Sequence, residues 1–288
     1  MIKDLQKDSQ SKCTAIIQAR MGSSRLPGKV LETIGGRAML GWVVERSRRA
    51  DSLDRVIVAT TMDSRDDPVV EYCQKHAVPY YRGDHHDVLD RYYQAAVQFQ
   101  AEEIVRLTAD CPFLDPELID QAVSEFWAGD FDYVTNRLPE PWGRTFPIGL
   151  DVEVFSMEAL TDAWQRADQK HHREHVTAFF YDDISPEDLK ADEESSELHV
   201  VGRSARGFNI KLLNWSEDLG NLRWTVDNLE DLRLVRKMVA YFDHDLFDWQ
   251  ELTALLQNEP DLQAINADVK HKTHRDIDRR YERGESSR

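Results

Sequence analysis

An apolar, β-branched run, Thr14–Ala19, passes without interruption into the loop Arg20-Met-Gly-Ser-Ser-Arg-Leu-Pro-Gly-Lys29. Such a run predicts a buried strand. A loop of Gly, Ser and Pro lets backbone N–H groups come close to an anion. Lys12, Arg20, Arg25 and Lys29 fall in or beside it with no acidic residue before Glu32, although the chain carries a formal net charge of -17. The composition suits a polyphosphate, and the plainer alternative, a surface turn with scattered cations, stays open on composition alone. A P-loop does not fit: five residues separate Gly22 from Gly28 where that motif has four, and Val30 follows Lys29 where it has Ser or Thr. No GxGxxG dinucleotide pattern occurs either.

The rest of the first half alternates in character. Strands are predicted at Arg55–Thr60, Val78–Tyr81, Glu103–Thr108 and Phe131–Val134, and helices at Met39–Arg49, Asp67–His76, Val88–Gln100 and Pro116–Trp127. Asp115 is placed to cap the last helix, with Pro116 at its first position. Strand–helix alternation at this spacing predicts βαβ units and a parallel sheet covered on both faces. In such sheets ligands bind at the carboxyl ends of the strands, where the Arg20–Lys29 loop falls. From about Arg137 the rhythm breaks at Pro139, Pro141, Gly143, Pro147 and Gly149 before a further strand, Leu150–Phe155. Asp182–Glu197 is acidic and reads as a solvated loop or insert, Phe208–Leu213 and Leu222–Val226 as extended segments, and Leu229–Phe242 as an amphipathic helix. The expected organisation is a flexible stretch at 1–12, one domain over 13–265 with an inserted lobe at about 137–215, and a polar C-terminal tail at 266–288.

Composition narrows the partners. The acidic balance argues against a nucleic-acid backbone but leaves room for a nucleotide, which needs only a local cationic cluster. Cys13, Cys73 and Cys111 are odd in number and lack CxxC spacing, so a disulfide framework or thiolate zinc site is not expected. With no apolar signal region and no run of membrane-spanning length, the expectation is a cytoplasmic protein.

Asp110 ends the Ile104–Ala109 run, and since Asp115 already caps the next helix, Asp110 is left for metal ligation at a strand end. Asp227 follows Leu222–Val226 and precedes Asn-Leu-Glu230, which reads first as a capping box with Asp227 as N-cap. His171 and His175 share a helix face at i, i+4, a spacing that suits zinc, but no third ligand is evident. Asp84 or Asp87 is expected to cap the helix from Val88, with Arg91 within reach of a ligand.

Taken together, Ala15-Ile-Ile-Gln-Ala-Arg-Met-Gly-Ser-Ser-Arg-Leu-Pro-Gly-Lys-Val-Leu31 resembles the signature of the CTP-dependent sugar nucleotidyltransferases, among them the KDO and acylneuraminate cytidylyltransferases. The likeness is closer to the SpsF-type branch (spore coat polysaccharide biosynthesis protein F). It extends through Val58-Ala-Thr-Thr61, Asp87-Val-Leu-Asp-Arg-Tyr-Tyr93, Arg106-Leu-Thr-Ala-Asp-Cys-Pro112, Gly149-Leu-Asp-Val-Glu-Val-Phe155, Arg173-Glu-His-Val-Thr177 and Leu222-Arg-Trp-Thr-Val-Asp227.

The resemblance implies a Rossmann-like, three-layer α/β/α nucleotide-diphospho-sugar transferase fold whose inserted lobe serves dimerisation or substrate. It implies that Ala19, Arg20, Gly22, Ser23, Arg25 and Lys29 wrap the triphosphate and that Thr108 sits where related enzymes contact the base. Asp110 and Asp227 would hold Mg²⁺, which reverses the capping reading of Asp227, and Glu153, Arg173 and His175 would face the sugar. The chain departs from the KDO enzymes at Thr108, where they carry Gln, and across residues 137–215. The implied reaction is in-line attack of a sugar hydroxyl on the α-phosphorus of CTP, with Arg20, Arg25 and Lys29 stabilising the departing pyrophosphate and Asp110 essential. The expected setting is surface polysaccharide or glycoconjugate synthesis by a homodimer. Two alternatives stand beside it: a glycosyltransferase that uses a nucleotide-sugar, and a nucleotide-binding module without turnover.

Overall fold

The computed structural model describes residues 13–269 apart from 140, 194 and 196. The first-half prediction is realised closely. Strand β1 (Cys13–Gln18) leads through the loop to a small hairpin, β2 (Thr33–Ile34) and β3 (Arg37–Ala38), and then α1 (Met39–Ser47). There follow β4 (Arg55–Thr61), α2 (Asp67–Lys75), β5 (Tyr80–Gly83), α3 (Val88–Phe99), β6 (Glu103–Thr108), α4 (Pro116–Ala128) and β7 (Tyr133–Thr135). The second half adds β8 (Glu153–Ser156), α5 (Met157–Arg166), α6 (Lys170–His175) and α7 (Ala178–Tyr181). It ends with β9 (Lys190–Ala191), β10 (Val200–Arg203), β11 (Asn209–Leu212), α8 (Leu229–Val239), α9 (Trp249–Asn258) and α10 (Pro260–Gln263).

Nine strands form one sheet in the order β5-β4-β1-β6-β8-β7-β11-β10-β9. β1 runs parallel to both β4 and β6, whereas β8 enters antiparallel between β6 and β7. Alternate residues of β1 feed the two faces. Ala15 and Ile17 join the core beneath α1, α2, α4, α8 and α9, while Ile16 joins the core beneath α3, α5 and α7. A sheet buried on both sides needs the near-continuous apolar strands that the sequence shows.

Several local readings are corrected. The acidic run at 182–197 is not loop throughout: Lys190–Ala191 adds β9 to the sheet edge. Leu222–Val226, expected as an extended segment, joins none of the strands of the sheet. It is a strap held by a single bridge between Ile148 and Arg223 and by Trp224 and Thr225 N–H donating to the Ile148 carbonyl, at 2.7 and 3.2 Å. Gly149 makes this close approach possible: its φ is +109°, and a Cβ there would stand 2.5 Å from the Thr225 nitrogen. Asp115 caps α4 as expected, accepting from the Glu117 N–H. No helix among the described residues is long and apolar enough to cross a membrane.

Candidate active site

Parallel strands β1, β4, β5 and β6 deliver their following loops to one edge of the sheet. The Ala19–Lys29 loop leaves β1 with Ala19 N–H bonded to the Ala59 carbonyl at 3.1 Å. Its path is then set by Asp66, a buried carboxylate that accepts from the Met21 N–H at 2.6 Å and from the Thr61 hydroxyl. Sequence reasoning missed Asp66; an acid in a loop after a strand carries no distinctive spacing. The Gly28 N–H closes the loop on the Met21 carbonyl at 2.8 Å, and the Ser23 hydroxyl accepts from Leu26 N–H at 3.3 Å. Gly28, at φ +76°, starts the 3-10 turn Lys29–Leu31 and directs Lys29 inward. Gly22 and Ser23 remain partly open at the loop's outer side, and Arg20 lies close enough to His85 to help depress that imidazole's pKa, after burial and His86.

Lys29 is the centre of the site. Its side chain is only 9% exposed, and Nζ donates to Asp110 Oδ2 at 2.7 Å, Asp227 Oδ1 at 2.8 Å and the Val226 carbonyl at 2.8 Å. Asp110 arrives from the end of β6; Asp227 arrives on the strap, which Val226 N–H ties to the Asp110 carbonyl at 2.8 Å. Arg25 and Arg223 both reach Asp227 Oδ2, at 2.8 and 2.6 Å. Burial works against the charge on Lys29, yet Asp110 and Asp227 together raise its pKa above the ordinary 10.5. Burial likewise opposes ionisation of Asp227, but Lys29 foremost, then Arg25 and Arg223, hold its carboxyl well below the usual range.

Asp227 does not cap α8. Asn228 does, accepting from the Asp231 N–H at 2.9 Å, while the Asp227 N–H is itself bonded to Asp231 Oδ2 at 2.9 Å. Shifting the cap by one residue leaves both Asp227 oxygens turned to cations. Because Asp110 and Asp227 each aim an oxygen at one Nζ, a single compact cation can bridge them. Two carboxylates converging on one point fit a divalent ion with oxygen ligands.

Beside this cluster a cavity of about 110 Å³ is lined by Arg106, Thr108, Arg137, Asp151, Glu153, His175 and Tyr181. The antiparallel register sets Arg106 directly opposite Glu153, and the two side chains pair. Glu153 is 1% exposed, and its other oxygen accepts from Tyr133 at 2.7 Å and Thr177 at 2.6 Å. Burial would neutralise it, but Arg106 and Arg137 keep its pKa low. Glu153 and His175 thus line the cavity, and Thr108 closes one wall, 3.2 Å from the Cys111 sulfur. Arg173 does not reach it: its guanidinium pairs with Asp87, the N-cap of α3, and donates to the Trp164 carbonyl at 2.8 Å. Arg91 donates to the Asp84 carbonyl at 2.6 Å. Arg106, Arg137 and Tyr181 were not singled out from the sequence, although an arginine inside the apolar run Ile104–Thr108 was the available signal.

The zinc spacing at His171 and His175 is not used. His171 and His172 both bond Asp182 Oδ2, at 2.8 and 2.5 Å, and Arg206 takes the other oxygen. Among the described residues Cys13, Cys73 and Cys111 are buried and form no disulfide, and burial pushes the Cys73 thiol up to about 12.

The chain is 34% identical to an uncharacterised protein of Methanocaldococcus jannaschii, MJ1063, over 93% of this chain and 99% of that one. It is 34% identical to the spore coat polysaccharide biosynthesis protein SpsF of Bacillus subtilis over 57% of this chain and 68% of that protein. A solved cytidylyltransferase structure from Leptospira borgpetersenii superposes with a TM-score of 0.74 at 28% identity, covering 88% of this chain and 97% of the other. The fold is the Rossmann-like nucleotidyltransferase fold. The cytidylyltransferase family model matches residues 14–240, a span that holds every side chain of the Lys29 cluster, and the chain therefore belongs to the cytidylyltransferase family and is a nucleotidyltransferase.

Proposed function

We propose that this enzyme transfers CMP from CTP to a sugar that carries negative charge, releasing pyrophosphate, with a divalent cation, Mg²⁺ in the cell, on Asp110 and Asp227. The observation that carries the reading is the convergence of Asp110, Asp227, Lys29 and Arg25 at the strand ends, next to a cavity walled by Arg106 and Arg137. In this reading the cytidine triphosphate lies along the Ala19–Lys29 loop. Arg20, Arg25 and Lys29 neutralise its phosphates and the charge that grows on the departing pyrophosphate. Thr108 faces the base, and the Arg106–Arg137 wall receives the sugar and orients its hydroxyl toward the α-phosphorus. The cation supplies Lewis-acid stabilisation of negative charge at the reacting phosphate. Arg173, held by Asp87, is assigned to the scaffold of this pocket and not to sugar contact.

A product of this kind suits the assembly of surface polysaccharide or glycoconjugate, and the expected homodimer is measurable by sedimentation. The test offers each of the four nucleoside triphosphates with Mg²⁺ to a panel of neutral and acidic sugars and follows pyrophosphate. CTP with an acidic sugar is expected to give pyrophosphate and a CMP-sugar. Turnover with UTP or GTP alone refutes the cytidylyl assignment, turnover with neutral sugars alone refutes the charged acceptor, and consumption of a nucleotide-sugar without pyrophosphate would mark a glycosyltransferase.

A further inference from the structure

We infer that Asn266, beyond the segment matched by the family, is a positioning residue that fixes the Asp227 carboxylate through Asp231 and Arg223. The inference rests on the reading of Asp227 as a carboxylate of the nucleotide–cation site. Asn266 follows α10 and is the first residue of the expected polar tail, yet it is only 6% exposed. Its Nδ2 donates to the Arg223 carbonyl at 3.0 Å and to Asp231 Oδ1 at 2.9 Å, both buried bonds. One amide therefore ties the strap to α8.

From there the contacts run in one direction. Asp231 is fully buried and accepts Arg223 Nε on Oδ1 at 3.0 Å. Its Oδ2 accepts the Arg223 guanidinium at 3.2 Å and the Asp227 N–H at 2.9 Å. The guanidinium thus oriented donates to Asp227 Oδ2 at 2.6 Å. Asp227 is held at its backbone by Asp231 and at its carboxylate by Arg223; those two holders pair directly, and Asn266 adds a tie from the Arg223 carbonyl to Asp231 Oδ1. A cavity of about 230 Å³ lined by Asn266, Arg223, Trp224 and Leu256 lies beside the network. Without the amide, the Arg223 backbone loses its tie to Asp231 next to that space, and the Asp227 oxygens are held less firmly.

The chemistry requires a donor. Both partners of Asn266 Nδ2 are acceptors, so aspartate, with the same shape and no N–H, sets oxygen against the Arg223 carbonyl and the Asp231 carboxylate. The experiment measures CTP binding by calorimetry to wild type and to Asn266→Asp, once with Mg²⁺ and once in EDTA. For N266D we expect affinity with Mg²⁺ to fall about tenfold and affinity in EDTA to stay within about twofold, because Arg20, Arg25 and Lys29 are all retained and still meet the phosphates. A purely structural role would change both values together or neither, and either result overturns the inference. If N266D does not fold, Asn266→Ala is measured in the same way. A loss of about threefold confined to the Mg²⁺ arm supports the inference, and equal affinity to wild type overturns it. Wild-type binding that is indifferent to Mg²⁺ would instead sink the cation reading of Asp227, and the role of Asn266 with it.

Discussion

Replacing Lys29 by Met tests the electrostatics of the site without any ligand. Methionine keeps the length and apolar volume of the stem and removes the ammonium. Three bonds are lost, to Asp110, Asp227 and the Val226 carbonyl. Asp227 keeps Arg25 and Arg223, whereas Asp110 loses its ion-pair partner among the described residues. Breaking a buried pair by deleting one partner costs about 3–5 kcal/mol. The carboxylates here are 25% and 18% exposed, so water recovers part of that and about 3 kcal/mol is expected. For a domain of this size the loss corresponds to a drop in Tm of about 6–12 °C at pH 7.

The pH dependence carries the sharper signature. Asp227 has a depressed pKa in the fold, so its pairing stabilises fully above the unfolded value of about 4 and is lost as pH falls through the lower folded value. Lys29 has a raised pKa, so its contribution is complete below 10.5 and disappears as pH rises through the higher folded value. The gap in Tm between wild type and Lys29→Met should therefore be widest between about pH 5 and 10, begin to close below about pH 4 and narrow clearly only well below it, as pH falls toward the depressed folded value of Asp227. Thermal melts at about pH 2, 5, 7 and 9 read it directly. An unchanged Tm at pH 7, or a gap that stays constant down to about pH 2, refutes the argument that Lys29 stabilises the two carboxylates.

Asp110→Asn should fold, since the residue is partly open, and should lower pyrophosphate release at least about a hundredfold; activity at ordinary Mg²⁺ would remove Asp110 from the cation site. Gly149→Ala places a Cβ against the Thr225 and Trp224 backbone at positive φ. A stability loss above about 2 kcal/mol, with weakened CTP binding, is expected by denaturant titration and calorimetry. Arg173→Ala removes the Asp87 pair and should cost about 1 kcal/mol of stability while leaving the KM for CTP unchanged; a large rise in the KM for the sugar would restore Arg173 to the substrate pocket.

The expected strands β4 and β6, together with helices α3 and α4, lie within a residue or two of where apolar periodicity and capping residues put them, because those signals act over a few neighbours. Second-half elements were less legible. α5 follows a strand too short to announce it, and β9 and β10 pair only at the sheet edge, where polar side chains are tolerated. Within the site, Asp110 stood out because an acid at the end of an apolar strand has no local partner. Asp227 did not, because Asp-Asn-Leu-Glu offers two caps one residue apart, and only the path of the strap selects Asn228.

By itself the chain determined an α/β sheet, a cationic glycine-containing loop at the end of its first strand, and an acid at the end of another. Those are local facts of composition and period. That Lys29 meets Asp110 across 81 residues and Asp227 across 198 was decided by the tertiary structure, as was the placing of Asn266 behind them. Such contacts depend on strand order and on a strap threaded past Gly149, and neither leaves a trace in the neighbouring residues. A buried ammonium between two carboxylates is stable only where all three arrive together.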